Sequence, residues 1–489
     1  MPKTPSNASP SANTLYWHDY ETFGIDPRRD RPVQFAGIRT DEALNIIGEP
    51  LVIYCQPAND FLPSPHACQV TGIAPQLALK EGLCEAEFIA KINAEFSRPG
   101  TCTVGYNNIR FDDEFTRYTL YRNFFDPYAR EWQDGNSRWD IIDLLRLTKA
   151  LRSEGINWPK RDDGFTSFKL EALSQANNIA HESAHDALSD VLATIEVAKL
   201  IKQRQPRLYQ YIYEQRFKYK TQDLINLQQQ RPLVHISGMY PPEKGHLGIV
   251  VPIAMDATNK NAVIVYELHS DPTALLNMSA EQIKHLTFTK TSDLLEGEQR
   301  LPLKTIHLNK CPVLVPLKTL TPENIKQWAI DLTACAHNLE RLKTDQSLPE
   351  RIKQAFTITY SETSNDPDQS LYSGGFFSNN DKEKMQIIRN TAATKLGDLA
   401  LNFEDERLEE MLFRYRCRNY PDTLFMDEIE RWNQYRIHRM TSPNGDASIK
   451  LDEYQDILKQ FRMDESINMS PDLLAQLEAY PELIGLNLE

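Results

Sequence analysis

Leu15-Tyr16-Trp17-His18-Asp19-Tyr20-Glu21-Thr22-Phe23-Gly24 is the stretch on which the fold turns. Aromatic and apolar residues surround two acids, and the run ends at Phe23-Gly24, a plausible turn. Side chains of a strand alternate between its two faces, so Asp19 and Glu21 share one face. The apolar flanks predict a central strand, where an acid is costly unless it is paired or bound to a metal. Two carboxylates a strand repeat apart suit a hard cation, which prefers oxygen ligands. A lone Asp-x-Glu is nonetheless better explained as two solvated acids on an exposed face.

The neighbouring sequence extends this strand into a sheet. Residues 34–40 and 45–55 read as two further strands, with a bend at Gly48-Glu49-Pro50, and their order predicts an antiparallel meander. Residues 85–96 carry Phe88, Ile92 and Phe96 at helical spacing. A short strand is expected over 101–106, and helices over 112–124, 141–151 and 186–202. Three strands followed by alternating helices and strands give an α/β sheet of mixed direction. Arg204-Gln205-Pro206-Arg207 marks a boundary. Beyond it, 208–227 reads as helical, and 233–239, 247–254, 262–268 and 305–309 read as strands. Residues 361–369 read as a polar linker, and from Lys382 onward the pattern is mostly helical.

A chain of 489 residues, 41% of them hydrophobic, exceeds one core, so two or three domains are expected. No apolar run approaches the roughly 20 residues of a membrane span. Residues 1–14 lack the apolar stretch of a secretory signal and read as a loose tail. Seven scattered cysteines with no Cys-x-x-Cys pair disfavour a zinc cage or a disulfide framework and suggest the reducing cytoplasm. The net charge of −14 argues against a generally basic nucleic-acid-binding surface. Any path for DNA must then be a local basic stripe.

Two further clusters carry chemistry. In Gly105-Tyr106-Asn107-Asn108-Ile109-Arg110-Phe111-Asp112-Asp113-Glu114 a strand hands over to a helix, a common place for ligand contacts. Helix capping by Asp112 or Asp113 is the simpler account of this cluster alone. Asp113 could cap while Asp112 faces a site. In Ser183-Ala184-His185-Asp186-Ala187-Leu188-Ser189-Asp190 the last acid lies five residues after His185. Both reach one site only if His185 precedes the helix or lies in its first turn. Ser183 and Asp186 together look like a helix start. Taken alone, His185 is an ordinary early-helix residue and Asp190 a surface acid.

Together the three clusters resemble the DEDD exonuclease superfamily in order and spacing. Asp19 and Glu21 match its first motif, Asn108-Ile109-Arg110-Phe111-Asp112 its second, and His185 with Asp190 its third, in the histidine branch. The resemblance narrows to bacterial exodeoxyribonuclease I through Tyr20-Glu21-Thr22-Phe23-Gly24, Asp30-Arg31-Pro32, Gln34-Phe35-Ala36 and Val70-Thr71-Gly72-Ile73. It continues through Gly155-Ile156-Asn157-Trp158-Pro159, the segment Pro232 to Met239, and Asn309-Lys310-Cys311-Pro312-Val313-Leu314. It implies a ribonuclease-H-like exonuclease domain over 15–205 after a disordered tail at 1–14. An SH3-like β-rich domain would follow over 206–356 and a helical domain over 357–489. Lys169 stands where the family often has arginine, keeping the charge but not the bidentate geometry. The segment Leu371-Tyr372-Ser373-Gly374-Gly375-Phe376-Phe377-Ser378 carries an extra small residue.

The implied activity is processive 3′→5′ hydrolysis of single-stranded DNA to 5′-mononucleotides with two Mg²⁺ ions. Asp19, Glu21 and Asp190 would hold one ion, Asp19 and Asp112 the second, and His185 would be the general base. Glu21 and Lys169 are expected to touch substrate. Interleaved aromatic and basic residues at 121–132, 216–220 and 413–418 suit strand stacking and phosphate contact, and Tyr128 and Trp132 are the candidates chosen from them. Buried aromatics beside solvated charges explain any one of these stretches equally well. The family further implies binding of the acidic C-terminal tail of single-stranded DNA-binding protein, for which Arg152 and Arg231 are candidates. A monomer is expected. The rivals are another histidine-branch nuclease acting on RNA or short oligonucleotides, whose chains are shorter, and a non-catalytic single-strand binder, which would have lost a ligand.

Overall fold

The alternation at 15–22 becomes the central strand of a five-stranded sheet in the computed structural model, which describes residues 13–181, 186–357, 366–464 and 466–486. The strands are β1 (Thr14–Thr22), β2 (Pro32–Thr40), β3 (Ile46–Tyr54), β4 (Thr101–Gly105) and β5 (Ser137–Asp140), in the order β3-β2-β1-β4-β5. β1 to β3 form the expected antiparallel meander, with Asp19 opposite Ala36 and Glu21 opposite Gln34. β4 joins β1 in parallel, from Thr14 opposite Thr101 to Trp17 opposite Val104. Most of the tail expected at 1–14 lies outside the described residues, but Thr14 already belongs to β1. The bend expected at Gly48-Glu49-Pro50 is a bulge within β3. Gly37 pairs with Leu51 and Arg39 with Ile47, so residues 48–50 bow out opposite Ile38. Gly48 takes φ +79° there, a conformation that disfavours a side chain.

Helices α1 (Glu85–Phe96) and α2 (Asp112–Arg122) cover one face of this sheet. Tyr16, Tyr20 and Phe35 pack there with Phe88, Ile89, Ile92, Phe96 and Leu120. The even-numbered residues of β1 therefore fill a core, and the odd-numbered acids point to the opposite face. Helix α3 (Ala187–Arg204) begins just before Asp190. The C-terminal segment is helical as expected, with α4 (Arg407–Asn419), α5 (Met426–Thr441), α6 (Leu451–Met463) and α7 (Pro471–Leu483). The linker expected at 361–369 lies largely outside the described residues.

The chain divides into two compact units that are not contiguous in sequence. Met1–Ser137, His181–Ile195 and Glu362–Glu489 form the first, and Arg138–Ala180 with Glu196–Ser361 form the second. In the first unit the C-terminal helices pack on the sheet-bearing segment. Tyr118, Tyr121 and Phe124 meet Met385, Ile388, Leu408, Met411 and Tyr415. Phe23, Phe61 and Leu62 join Tyr454, Leu458, Leu477 and Tyr480 in another core. Between them Asp60, fully buried, accepts from Arg418 (2.9 Å) and Arg439 (2.8 Å), and Arg31 lies 3.9 Å away. Asp368 accepts from Arg418 (2.8 Å) and Arg414 (2.9 Å).

The second unit holds β6 (Leu233–Ile236), β7 (Leu247–Met255), β8 (Ala262–Glu267), β9 (Leu303–His307) and β10 (Val313–Pro316) as an antiparallel sheet, in the order β10-β6-β7-β8-β9. β10 was not expected from the sequence, because four residues ending in proline carry too little pattern. The helix expected over 208–227 is two, Pro206–Gln215 and Lys218–Gln222. The break falls at Arg216, whose guanidinium lies over the rings of Tyr213 (3.6 Å) and Phe217 (4.1 Å).

Three arginines beside Asp60 outweigh its burial and hold the carboxyl below the usual range. A carboxyl whose pKa is depressed by folding stabilises above its unfolded pKa and loses that contribution as pH falls. Asp60→Ala leaves buried guanidinium groups without their anion and is expected to cost about 3–5 kcal/mol. Urea denaturation at pH 7 checks this, and the difference from wild type should shrink in acid.

Candidate active site

Four acids from three elements come together in the first unit. On β1, Asp19 is half-buried and Glu21 is buried. The register with β2 slips between Glu21 and Thr22, a bulge beside the two acids. From α3, Asp190 presents its carboxylate to the same place, and one oxygen from each of Asp19, Glu21 and Asp190 lies within 4.8 Å of the others. Asp112 opens α2 and is buried. It accepts from the backbone N–H of Tyr20 through Oδ1 (3.2 Å), which fixes it against β1. Thr116 secures the same turn, donating to Asp112 O (2.9 Å) beside Tyr20 Oη (3.0 Å).

Asp113 does not cap the helix. It is fully buried and pairs with Arg130 at 2.7 Å, leaving Asp112 to face the acids of β1. Asp186 does cap: Oδ2 accepts from Ser189 N (3.1 Å) and sets the start of α3. The backbone N–H of Ala187 is also tied to Gln34 Oε1 of β2 (3.4 Å). Ser183 and His185 lie outside the described residues. The sequence had given no reason to single out His181, whose Nε2 lies 2.5 Å from Asp190 Oδ1. Nine residues and a loop separate the pair, so no helical or strand period links them. A hydrogen-bonding partner on a ligating carboxylate helps to orient it.

The electrostatics are those of a site built for cations. Burial, then the charges of Asp112, Glu21 and Asp190, push the Asp19 carboxyl well above its ordinary value. Burial, then Asp190, Asp112 and Asp186, push Glu21 up to about 8. Among the described residues, the largest charge effects on these two groups all come from acids. An all-oxygen donor set with uncompensated negative charge fits a hard divalent ion.

The remaining candidates are dispersed. Tyr128 is half-buried and Trp132 is 65% exposed, both in the first unit. Lys169, exposed, and Arg231, also exposed, belong to the second. Arg152 donates to Leu151 O (2.5 Å), Asn324 Oδ1 (3.3 Å) and Thr319 O (3.0 Å), contacts that brace its own unit.

Residues 16–198 match the family described as Exonuclease, 216–358 the Exonuclease I SH3-like domain, and 365–484 the Exonuclease I C-terminal domain. Exodeoxyribonuclease I of Haemophilus influenzae is 46% identical over 468 residues, 96% of this chain and 98% of that protein. The chain belongs to the exodeoxyribonuclease I family. Membership makes it a 3′→5′ exodeoxyribonuclease, with the ribonuclease-H-like, SH3-like and C-terminal helical parts of that family. Among solved family members, Escherichia coli exonuclease I in complex with a dA16 oligonucleotide is 45% identical with a TM-score of 0.91, covering 96% of this chain and 100% of that one. A zinc-bound form of the E. coli enzyme with single-stranded DNA is 44% identical with a TM-score of 0.90, covering 96% and 99%. The match runs through all three family regions, which disfavours a short RNA-directed nuclease. The exonuclease family implies dependence on a divalent metal.

Because folding raises the pKa of Glu21 above 4.5, the folded chain binds that proton more tightly than the unfolded chain. Its contribution is present below pH 4.5 and lost as pH rises toward about 8. In EDTA the melting temperature is therefore expected to decline across that window. Millimolar Mg²⁺ should raise it most at pH 8, where the ion no longer competes with the proton. Parallel pH profiles with and without the ion would disprove the link.

Proposed function

We propose that this enzyme degrades single-stranded DNA processively from its 3′ end, releasing 5′-mononucleotides with two Mg²⁺ ions, in DNA repair and recombination. The observation that carries the metal assignment is the convergence of one oxygen each from Asp19, Glu21 and Asp190 within 4.8 Å. The oligonucleotide complexes of relatives of nearly equal length support the substrate. Domains are assigned to 15–205, 206–356 and 357–489.

Asp19, Glu21 and Asp190 would hold one ion and Asp19 with Asp112 the second, and two bound ions would supply Lewis-acid stabilisation of the scissile phosphate and the departing 3′ oxygen. Asp112 is held to β1 by Tyr20 N–H, so its carboxylate stays aimed at Asp19. His185 is assigned as the base that takes the proton of the attacking water, since an imidazole titrates near working pH. Glu21 also contacts the terminal nucleotide, Lys169 a phosphate, and Tyr128 and Trp132 the bases.

Single-stranded DNA labelled at its 3′ or its 5′ end tests this directly. A 3′ label should leave at once as mononucleotide and a 5′ label last, and EDTA should stop both. Asp19→Ala and Asp190→Ala are expected to abolish turnover. His185→Ala should lower kcat by about 10²–10⁴-fold with little change in DNA affinity. An unchanged kcat in that variant would remove the base assignment.

Arg231 and Arg152 are proposed to receive the acidic C-terminal tail of single-stranded DNA-binding protein. Tail-peptide affinity should fall several-fold in Arg231→Ala, and equal affinity would exclude that residue. We assign a monomer acting in the cytoplasm. No helix among the described residues is long and apolar enough to cross a membrane, and none of the seven cysteines is in a disulfide.

A further inference from the structure

Asp190 lies in the first turn of α3, where its backbone N–H donates to Asp186 O at 3.0 Å. The Asp186 cap and the Gln34 contact hold that turn. Those contacts act on the backbone and do not set the two torsions of the Asp190 side chain. Electrostatics alone would turn the side chain outward. Its charge raises the proton affinity of both Asp19 and Glu21, so rotation into water relieves repulsion in the site. With 21% of the side chain exposed, solvent is within reach of that rotation. The carboxylate nevertheless points inward, and one of its oxygens joins those of Asp19 and Glu21.

His181 supplies a restraint. Only 5% of its side chain is exposed, and Nε2 donates to Asp190 Oδ1 at 2.5 Å. It is not itself a member of the ligand group. Among the described residues, the donor atoms lying within 4.8 Å of one another come from Asp19, Glu21 and Asp190, and no nitrogen of His181 joins them. The imidazole therefore stands behind one carboxylate rather than inside the cluster. A similar contact recurs at Asp112, whose Oδ1 accepts from Tyr20 N–H at 3.2 Å. Asp112 on α2 and Asp190 on α3 thus each commit one oxygen to a donor of the protein, and each keeps the other for an ion. That arrangement discriminates between ions. Mg²⁺ demands a near-ideal octahedron and keeps several of its waters, which suits carboxylates that offer one oxygen apiece. Ca²⁺ is larger, takes more oxygens and often binds a carboxylate through both.

We infer that His181 is a positioning residue that holds Asp190 to a single free oxygen, and that this contact biases the carboxylate site toward Mg²⁺ over Ca²⁺. His181 has this role only if the metal assignment proposed above holds. Its part differs from that of His185, which is assigned to the attacking water, because His181 acts through Asp190. Without the imidazole, Asp190 can turn outward or offer both oxygens. Turning outward weakens either ion, whereas offering both oxygens compensates the larger ion alone.

Mn²⁺ serves as the probe in the test, its free fraction read by electron paramagnetic resonance with the full chain and no DNA. Competition with Mg²⁺ and with Ca²⁺ then gives the affinity for each. His181→Leu fills the buried space without a donor, and His181→Gln fills it with an amide N–H. His181→Leu should weaken Mg²⁺ by about 10–100-fold, the usual effect of losing such a partner, and Ca²⁺ by several-fold less. His181→Gln should restore most of the preference. In turnover, the Mg²⁺ concentration giving half the maximal rate should rise in His181→Leu by the same factor as the affinity falls. Loss of a general base would instead lower the plateau without moving that midpoint. Equal losses for the two ions overturn the selection, and an unchanged Mg²⁺ affinity overturns the positioning role. Melting in EDTA shows whether His181→Leu is folded. If it is not, His181→Gln decides alone, and a preference lost with the donor in place overturns the inference. A wild type that binds no Mn²⁺ would instead sink the metal assignment itself.

Discussion

Mutual repulsion among four carboxylates is the constraint around which the first unit is arranged. Glu21, Asp112 and Asp190 each raise the proton affinity of Asp19, and none could be held so close in water without cost. The fold supplies that restraint from outside the cluster. The even-numbered face of β1 is locked into aromatic packing with α1 and α2, so the odd-numbered acids cannot turn away. Tyr20 N–H grips Asp112, and the Asp186 cap with the Gln34 contact fixes the start of α3 and thereby Asp190. Stability given up at this point is regained when a divalent ion enters, the usual relation between a strained site and its function.

This arrangement also explains which parts of the molecule were legible from sequence. The meander around β1 was readable from the strand-like stretch at 15–22 followed by two more, and α1 because Phe88, Ile92 and Phe96 mark one face. β10 and β5 are four residues each and were missed, whereas β6, equally short, lay inside the longer strand-like run at 233–239. The Gly48–Pro50 signal was read as a bend, and it takes the form of a bulge: glycine and proline announce a departure from regular backbone.

The site divides along a similar line. Asp19 and Glu21 were legible because strand geometry alone places them together. Asp112 and Asp190 emerged only from the family resemblance, since either position also suits an ordinary cap or surface acid. His181 was invisible, because its contact with Asp190 depends on how a loop returns to the helix. Asp113 shows the reverse problem. It looks like Asp112 in sequence, and only the buried guanidinium of Arg130 separates a structural ion pair from a site acid. Sequence identifies residue types that suit a chemistry. Partners distant in the chain decide which copy performs it.

The C-terminal helices extend the same reasoning to the whole unit. They pack on the sheet-bearing segment through two apolar cores with Asp60 and Asp368 between buried arginines. A buried ionic cluster adds little net stability over an apolar one, but it penalises every misaligned docking, because a displaced partner leaves a bare charge behind. Apolar packing tolerates small slips, whereas guanidinium–carboxylate pairs at 2.8–2.9 Å do not. Such precision has a use here. Tyr372 meets Glu114 only two residues beyond Asp112, so any slip of the C-terminal segment along α2 reaches the carboxylate cluster itself. The ionic lock and the acid cluster are thus two ends of one requirement, that a segment some 250 residues away in sequence be held to α2 within hydrogen-bond tolerance.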